Sequence, residues 1–199
     1  MSSRIILASA SSSRKDMLTR AGVEFEAIPA KVDEDAIKSA LISEHAKPRD
    51  IADALAEAKA RKIAGKHPDA LVLGSDQVLD LNGTILSKPE SPEEALDQLK
   101  SMRSNRHHLL SAAVIYDEAK PVWRHVGQVR LYMRDASDDW LSDYVERNWD
   151  SIRHSVGAYK LEEEGARLFT RVEGDYFNVL GLPLLDVLSY LTLRGILPS

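Results

Sequence analysis

The sequence predicts an α/β fold, because short apolar runs alternate with segments of helical spacing along its 199 residues. The apolar runs Ile5–Leu7 and Ala70–Leu73 are typical of buried strands. Between them, the apolar residues of Asp50–Ile63 recur at the spacing of one helix face. Neither an internal repeat nor a low-complexity linker divides the chain, so we expect a single domain over residues 1–199.

The composition excludes several classes of protein. Hydrophobic residues make up 44% of the chain and charged residues 29%, as in ordinary soluble domains. A net charge of −5 argues against stable nucleic-acid binding, whereas a few cations in one cleft suffice to hold a nucleotide. The absence of cysteine excludes disulfides and thiolate catalysis. No apolar run is long enough for a signal peptide or a membrane span, so we expect no membrane contact and a cytoplasmic location.

The first half of the chain carries further local signals for strands and turns. Gly22 follows the first predicted helix, where a C-terminal glycine cap is expected, and Glu24–Ile28 is typical of a second strand. Val78–Leu81 and Thr84–Leu86 flank Asn82-Gly83, a pair that favours a type I′ turn. These residues therefore predict a β-hairpin.

The middle of the chain predicts two helices around a pair of strands. Ser91–Glu94 combines an N-cap serine with a first-turn proline and a glutamate, which predicts a helix running to about Met102. Leu109–Tyr116 and Val122–Met133 predict two long strands. Asp138–Arg147 predicts a further amphipathic helix.

The last elements predicted are a strand over Leu168–Val172 and a helix over Pro183–Arg194. This helix is apolar on most of its faces. It is therefore either deeply buried or part of a subunit contact, such as that of a homodimer, and burial is favoured.

The first loop and helix contain the first candidate binding site. A strand breaks into a run of small hydroxyl residues, Ser9–Ser13, and two cations follow at Arg14 and Lys15. Such a turn leaves backbone N–H groups free above the helix N-terminus, where the helix dipole favours an anion such as phosphate. Ser11 or Ser12 acting only as a helix cap is an equally good interpretation of this segment alone.

Gly74-Ser75-Asp76-Gln77 is the second candidate site. We expect it to place a carboxylate just beyond the carboxyl end of an apolar strand, where ligand clefts of α/β sheets lie. Asp76 could there bind a divalent metal or accept a proton from water. The more common alternative is a turn residue that bonds its own backbone.

Weaker signals come from charged residues elsewhere. Lys88 is followed by a proline that fixes its backbone, although lone lysines are usually solvated. Asp33–Asp35 offers three carboxylates of which one or two could hold Mg²⁺, but a solvated helix start capped by Asp33 is the more common explanation. Phosphate-loop, dinucleotide-binding, zinc-protease and nucleophile-elbow motifs are all absent from the sequence.

Together these segments resemble the Maf family of nucleoside triphosphate pyrophosphatases. The family's opening L-A-S-x-S-P-x-R-x-x-x-L loop is matched by Leu7, Ala8, Ser9, Ser11, Arg14 and Leu18, with Ser12 in place of proline. Seven further motifs of the family also have counterparts in this chain. They are Asp33-Glu34 for D-E, Leu55–Ala60 for L-A-x-x-K-A, Gly74–Asp76 for G-[AS]-D, Ser87–Pro89 for G-K-P, Ser104–His108 for S-G-R-x-H, Gly157–Tyr159 for G-A-Y and Glu173–Pro183 for E-G-x-x-x-N-V-x-G-L-P. The motifs follow in order over nearly the whole chain.

The resemblance implies a Maf/ITPase-like α/β fold, with a mixed twisted sheet flanked by helices and two lobes around a nucleotide-binding cleft. It implies Mg²⁺- or Mn²⁺-dependent cleavage of a nucleoside triphosphate into a monophosphate and pyrophosphate. It also implies three sets of site residues. Arg14, Lys59 and Lys88 would neutralise the polyphosphate, Ser9 and Ser11 would orient it, and Asp76 and Glu34 would bind metal, Asp76 being alternatively the proton acceptor.

Three further positions bear on which base the resemblance implies. Gln77 and Glu162 are similar to the 7-methyl-GTP type of the family, whose glutamate could accept hydrogen bonds from a guanine edge. Ser13 matches neither that type, which has a bulky aromatic there, nor the dTTP/UTP type, which has arginine. The resemblance also implies a second kind of role, because family members are linked with septum formation and cell-division arrest. A non-enzymatic regulator is therefore a competing expectation.

Overall fold

A computed structural model describes residues 4–198, so both ends of the predicted domain 1–199 lie outside the described residues. Its seven strands are β1 Ile5–Leu7, β2 Glu26–Ala27, β3 Leu71–Leu81, β4 Thr84–Leu86, β5 Arg106–Asp117, β6 Lys120–Met133 and β7 Phe169–Glu173. The α-helices within this range are α1 Ser12–Arg20, α2 Glu34–Ser43, α3 Pro48–Ala64, α4 Pro92–Met102, α5 Asp138–Ile152, α6 Tyr176–Val179 and α7 Leu184–Leu193. The predicted α/β class is confirmed.

The strands form one mixed sheet in the order β2-β1-β3-β5-β6-β7. β1 runs parallel to both β2 and β3, and the remaining pairs are antiparallel. On the side of β3 away from β5, β1 pairs as far as Leu73 and β4 pairs from Leu79. Between these two partners the described chain places no strand against Gly74–Val78, which leaves an opening at this edge of the sheet.

The expected position of Asp76 beyond the end of a strand is wrong. The strand does not stop at Leu73 but continues through Asp76 to Leu81, with β5 paired along it. Gly74 on this strand allows α3 to pack closely on β3. A Cβ atom there would lie 2.3 Å from the Ala56 carbonyl oxygen and 2.6 Å from the Ala60 nitrogen. Asp76 therefore lies on a strand within the sheet, paired along its length with β5.

Other elements agree with the local signals, with shifted ends. Asn82 and Gly83 have φ of 53° and 90°, as a type I′ hairpin turn requires. The second strand is shorter than the predicted Glu24–Ile28, and α5 extends beyond Arg147 because its buried face continues to Ile152. Side chains of the N-cap residues accept hydrogen bonds from backbone N–H groups in α1, α2 and α4; the caps are Ser11, Asp33 and Ser91.

Apolar packing divides the molecule into two lobes. On one side of the opening, α3 covers one face of β1, β3 and β5, while α1 and α7 cover the opposite face. On the other side, a separate cluster joins α4 and α5 to the far ends of β3, β5 and β6.

The expected burial of α7 holds for one face only, since Val187 is fully buried whereas Leu193 is 84% exposed. Over residues 4–198 no helix is both long enough and apolar enough to cross a bilayer.

A buried histidine predicts that the stability of the protein depends on pH. His107 on β5 is fully buried, with its Nε2 2.8 Å from the Tyr159 hydroxyl oxygen. Burial, and to a smaller extent His108, lowers the pKa of His107 to about 4. The unfolded chain then binds a proton that the folded chain does not, so stability is lost as the pH falls from about 6.5 towards 4. We expect this group to lower the free energy of unfolding by about 3 kcal/mol between pH 7 and pH 4.

Urea unfolding of the wild type and of His107→Gln across this pH range checks that expectation. The free energy of unfolding should depend less steeply on pH in His107→Gln. The control is His45→Asn, which replaces an exposed histidine by a residue that tolerates the positive φ of this position. Equal slopes in the wild type and His107→Gln would assign the pH dependence to another group.

Candidate active site

The opening beside β3 leads into a cleft of about 540 Å³ between the two lobes. Its walls are the loop after β1, the start of α2, α3, the middle of β3 and the segment from His154 to Glu162. The cleft is lined by all ten predicted site residues: Ser9, Ser11, Ser13, Arg14, Glu34, Lys59, Asp76, Gln77, Lys88 and Glu162. Residues far apart in the sequence thus share one cavity.

Arg14 lies buried in the first turn of α1. Its Nε donates to the Gly181 carbonyl at 2.7 Å, and one terminal nitrogen donates to the Ser9 hydroxyl at 3.3 Å. No carboxylate within residues 4–198 lies within 4.0 Å of the guanidinium. Burial lowers the pKa of Arg14, and the more distant carboxylates of Asp76 and Glu34 oppose that shift. A buried cation held only by neutral acceptors favours an anion beside it.

The serines of the loop before Arg14 cap the helix, and phosphate binding by this loop stays a prediction. The Ser11 hydroxyl caps α1 by accepting from the Arg14 N–H at 3.4 Å, and the Ser9 hydroxyl accepts from the Ser11 N–H at 3.2 Å. The N–H groups of Ser12 and Ser13 lie at the first two helical positions and have no carbonyl partner within the helix. Capping is therefore confirmed, and it leaves donors available at the cleft.

A lysine joins two carboxylates on the opposite wall. Lys59 Nζ lies 2.8 Å from Asp76 Oδ1 and 2.9 Å from Glu34 Oε1. Lys59 and Asp76 are buried, whereas Glu34 is partly exposed at the start of α2. The close approach of α3 to β3 at Gly74 brings this lysine to the strand. The second carboxylate oxygens, Asp76 Oδ2 and Glu34 Oε2, make no hydrogen bond to any described residue.

The carboxylate pair suits one type of metal site. Within the described range there is no cluster of three or more acidic, histidine or cysteine ligands that would hold a metal by itself. Mg²⁺, however, is commonly bound by one or two carboxylates together with substrate phosphates. Asp76 and Glu34, which line the same cleft as Arg14, match that donor set.

Lys88 projects from the segment after the β3–β4 hairpin. It is exposed and has no carboxylate within 4.0 Å among the described residues. Its neighbour Ser87 is fixed by Lys38 Nζ, which donates to the hydroxyl at 3.0 Å, and by the Gln98 amide, which donates to the carbonyl at 3.1 Å. The backbone of Lys88 is thereby held while its ammonium group remains available.

The far end of the cleft is formed by the segment that carries Glu162. Glu162 is exposed there, and Lys160 and Leu161 line the same wall without having been predicted as site residues. The Gly157-Ala158-Tyr159 motif was the sequence feature that indicated this wall. Tyr159 lines the wall, and its hydroxyl group forms a hydrogen bond with His107.

Gln77 lines the cleft but is already bound to the protein. Its amide nitrogen lies 3.0 Å from the Ser111 hydroxyl oxygen, 2.9 Å from the Asn178 carbonyl oxygen and 3.0 Å from the Val179 carbonyl oxygen. Those contacts occupy both amide hydrogens. The predicted role of Gln77 in binding substrate would therefore fall to its amide oxygen.

Comparison with known proteins assigns the family. The profile of the family described as Maf-like protein matches residues 4–193 of the chain. The chain belongs to the Maf family. The resemblance drawn from its motifs is thus confirmed, and the mixed sheet flanked by helices is the fold that this resemblance implied.

Relatives of the chain match along almost their whole length. A protein of Ruegeria sp. (strain TM1040) is 66% identical over 197 residues, which is 99% of both chains. Proteins of Ruegeria pomeroyi and Roseobacter denitrificans are 63% and 64% identical, each over 98% of both chains. All three are named nucleoside triphosphate pyrophosphatase. That name describes a hydrolase that acts on an acid anhydride.

Proposed function

We propose that this Maf-family chain is a hydrolase that cleaves the α–β phosphoanhydride bond of a nucleoside triphosphate. The products would be a nucleoside monophosphate and pyrophosphate. The observation that carries the proposal is the buried Arg14, which has no carboxylate within 4.0 Å in the described chain and faces the same cleft as the Asp76–Lys59–Glu34 cluster. A polyanion with a bound cation would satisfy both walls at once.

The cations of the cleft account for binding of the triphosphate. Arg14 and Lys88 would neutralise the phosphate oxygens and the charge that develops on the leaving pyrophosphate, and Lys59 adds a third positive charge. The hydroxyls of Ser9 and Ser11 and the free amides of the loop would orient the chain of phosphates.

Asp76 has two candidate roles on the reacting side. As a general base it would accept a proton from water while the water oxygen bonds to phosphorus and the bridging oxygen leaves with the pyrophosphate. As a metal ligand it would act with Glu34 to hold Mg²⁺ or Mn²⁺. When bound, such a cation offsets negative charge on the phosphate oxygens.

An assay with a nucleotide panel tests this activity. The wild type should release pyrophosphate from at least one of the ordinary or modified triphosphates in the presence of Mg²⁺ or Mn²⁺, and chelation of the metal should stop the release. Dialysis against metal-free buffer followed by separate re-addition of each cation identifies the preferred one. An absence of product from every nucleotide at high enzyme concentration would contradict the proposal.

The base preference is a finer part of the proposal, in which the substrate is a modified purine triphosphate similar to 7-methyl-GTP. Glu162, exposed at the far end of the cleft, would accept hydrogen bonds from the guanine edge. We expect Glu162→Gln to weaken the preference for 7-methyl-GTP over dTTP about tenfold, because a charged acceptor is lost. The measurement is the ratio of the kcat/KM values for the two nucleotides.

Glu146 provides the control for Glu162→Gln. It is exposed on α5 and does not line the cleft, so Glu146→Gln should leave the ratio of the two kcat/KM values unchanged. A wild-type preference for dTTP or UTP would instead favour the other substrate type.

A purely binding role in septum formation or cell-division arrest is the competing proposal. Arg14, Asp76 and Lys88 favour chemistry, because a contact with another protein does not require these charged side chains around one cleft. The binding role predicts a partner contact that survives Asp76→Asn, and a co-precipitation with that variant tests it. We also propose that the protein is cytoplasmic and forms a homodimer. Sedimentation of the purified chain tests whether it is a dimer.

A further inference from the structure

A row of polar side chains crosses the sheet face opposite α3. Ser75 and Gln77 lie two residues apart on β3, and Ser111 is the cross-strand partner of Gln77 on β5. The two serines are fully buried. On the same face of β3, Leu73 belongs to the apolar cluster under α1 and α7, and Leu79 to the cluster under α4 and α5. The row thus interrupts an otherwise apolar face at the level of the cleft.

The row binds carbonyl groups at the end of α6 and in the turn that follows it. The Asn178 carbonyl accepts from the Ser111 hydroxyl at 2.6 Å, and Gln77 donates to the carbonyls of Asn178 and Val179. The Ser75 hydroxyl donates to the Gly181 carbonyl at 3.1 Å. The last carbonyls of a helix lack partners within it, and here the sheet supplies their donors.

The same Gly181 carbonyl holds Arg14. It accepts from Arg14 Nε at 2.7 Å, so one oxygen joins the guanidinium to Ser75. Gly181 has a φ of 97°, and a Cβ atom there would lie 3.3 Å from a terminal nitrogen of Arg14. The backbone of the turn therefore passes directly against the cation, and a displacement of the turn would also displace the oxygen that the guanidinium binds.

From these contacts we infer that Gln77, with Ser75 and Ser111, is a positioning residue for Arg14. The row fixes the Asn178–Gly181 turn, and the turn fixes the guanidinium at the phosphate end of the cleft. The inference rests on the proposed function, in which Arg14 stabilises the transition state. It assigns Gln77 to the orientation of the arginine and not to the reading of the base. An error of about 1 Å in such a group can cost about a hundredfold in rate.

A double-mutant cycle between Gln77 and Arg14 tests this inference. Gln77→Met keeps the length of the side chain and removes the amide donor, and Arg14→Lys keeps the charge and loses the fork geometry. We expect Gln77→Met to lower kcat about tenfold in the wild type, with KM changed less than about threefold. In the Arg14→Lys background the same change should alter kcat less than about twofold.

Other variants separate positioning from a general loss of folding. If Gln77→Met folds poorly, Ser75→Ala replaces it in the cycle. Ser75→Ala should show the same coupling to Arg14→Lys, with a smaller loss of kcat. Ser101 donates its hydroxyl to the Gln98 carbonyl at 2.6 Å and does not line the cleft, so Ser101→Ala should leave kcat unchanged. Thermal melting of each variant reports the structural contribution independently.

Two outcomes would overturn the inference. Equal losses of kcat in both Arg14 backgrounds would mean that the row acts on the fold alone. A changed preference between dTTP and 7-methyl-GTP, without coupling to Arg14, would mean that Gln77 reads the base. If the wild type releases no pyrophosphate from any nucleotide, the cycle is measured on the Kd for inorganic pyrophosphate, so the two proposals fail separately.

Discussion

Asp76→Asn should lower kcat about a thousandfold while the protein still folds and binds its nucleotide. The amide keeps the shape of the carboxylate but neither accepts a proton nor binds a divalent cation well. Lys59 retains Glu34 at 2.9 Å, so the buried ammonium group keeps one carboxylate after the change. The measurements are kcat with the preferred triphosphate, the Kd for that nucleotide and the circular dichroism spectrum.

Asp80→Asn is the matched control on the same strand. Asp80 also lies on β3, where it accepts from the Gly83 N–H in the hairpin and does not line the cleft. We expect Asp80→Asn to leave kcat within about twofold of the wild type. An unchanged rate in Asp76→Asn would remove this carboxylate from the mechanism.

Gly74→Ala should have the largest effect on folding. The added Cβ would lie 2.3 Å from the Ala56 carbonyl oxygen, a contact with backbone that no rotamer change relieves. We expect a loss of about 3 kcal/mol in the free energy of unfolding, because α3 must move away from β3. The same movement would separate Lys59 from Asp76, so the folded fraction should also lose activity. Urea unfolding and kcat per folded molecule measure the two effects.

Gly65→Ala tests whether the effect comes from the close approach. Gly65 ends α3 with a φ of −62°, and an added Cβ would meet nothing closer than 3.5 Å. Alanine fits this conformation, so we expect stability to change by less than about 1 kcal/mol. Similar losses at Gly65 and Gly74 would mean that the contact between α3 and β3 is not the cause.

The elements with local signals were predictable from the sequence. The Asn82-Gly83 turn and the Ser91 cap are determined by residues next to one another, and both form as expected. The role of Gly74 was not predictable, because a glycine in a strand looks the same whether it ends the strand or admits a helix. Only the position of α3 distinguishes the two, and that position depends on packing across the whole lobe.

The candidate site was predictable in its residue types and less so in its contacts. The motifs pointed to Arg14, Lys59 and Asp76, and the fold places all three in one cleft. The Gly181 carbonyl that orients Arg14 lies 167 positions along the chain and carries no side-chain signal. Backbone groups of this kind become visible only when the chain is folded, which is why the positioning row escaped the sequence analysis.

Phosphorus-31 NMR of a completed reaction tests the central claim most directly. With the preferred triphosphate and a divalent cation, α–β cleavage predicts resonances of the nucleoside monophosphate and of pyrophosphate in equal amounts, and none of orthophosphate. Orthophosphate together with a nucleoside diphosphate would show cleavage at the β–γ bond. Orthophosphate released from a monophosphate would show a phosphatase. Either product would contradict the assignment of this cleft to α–β hydrolysis.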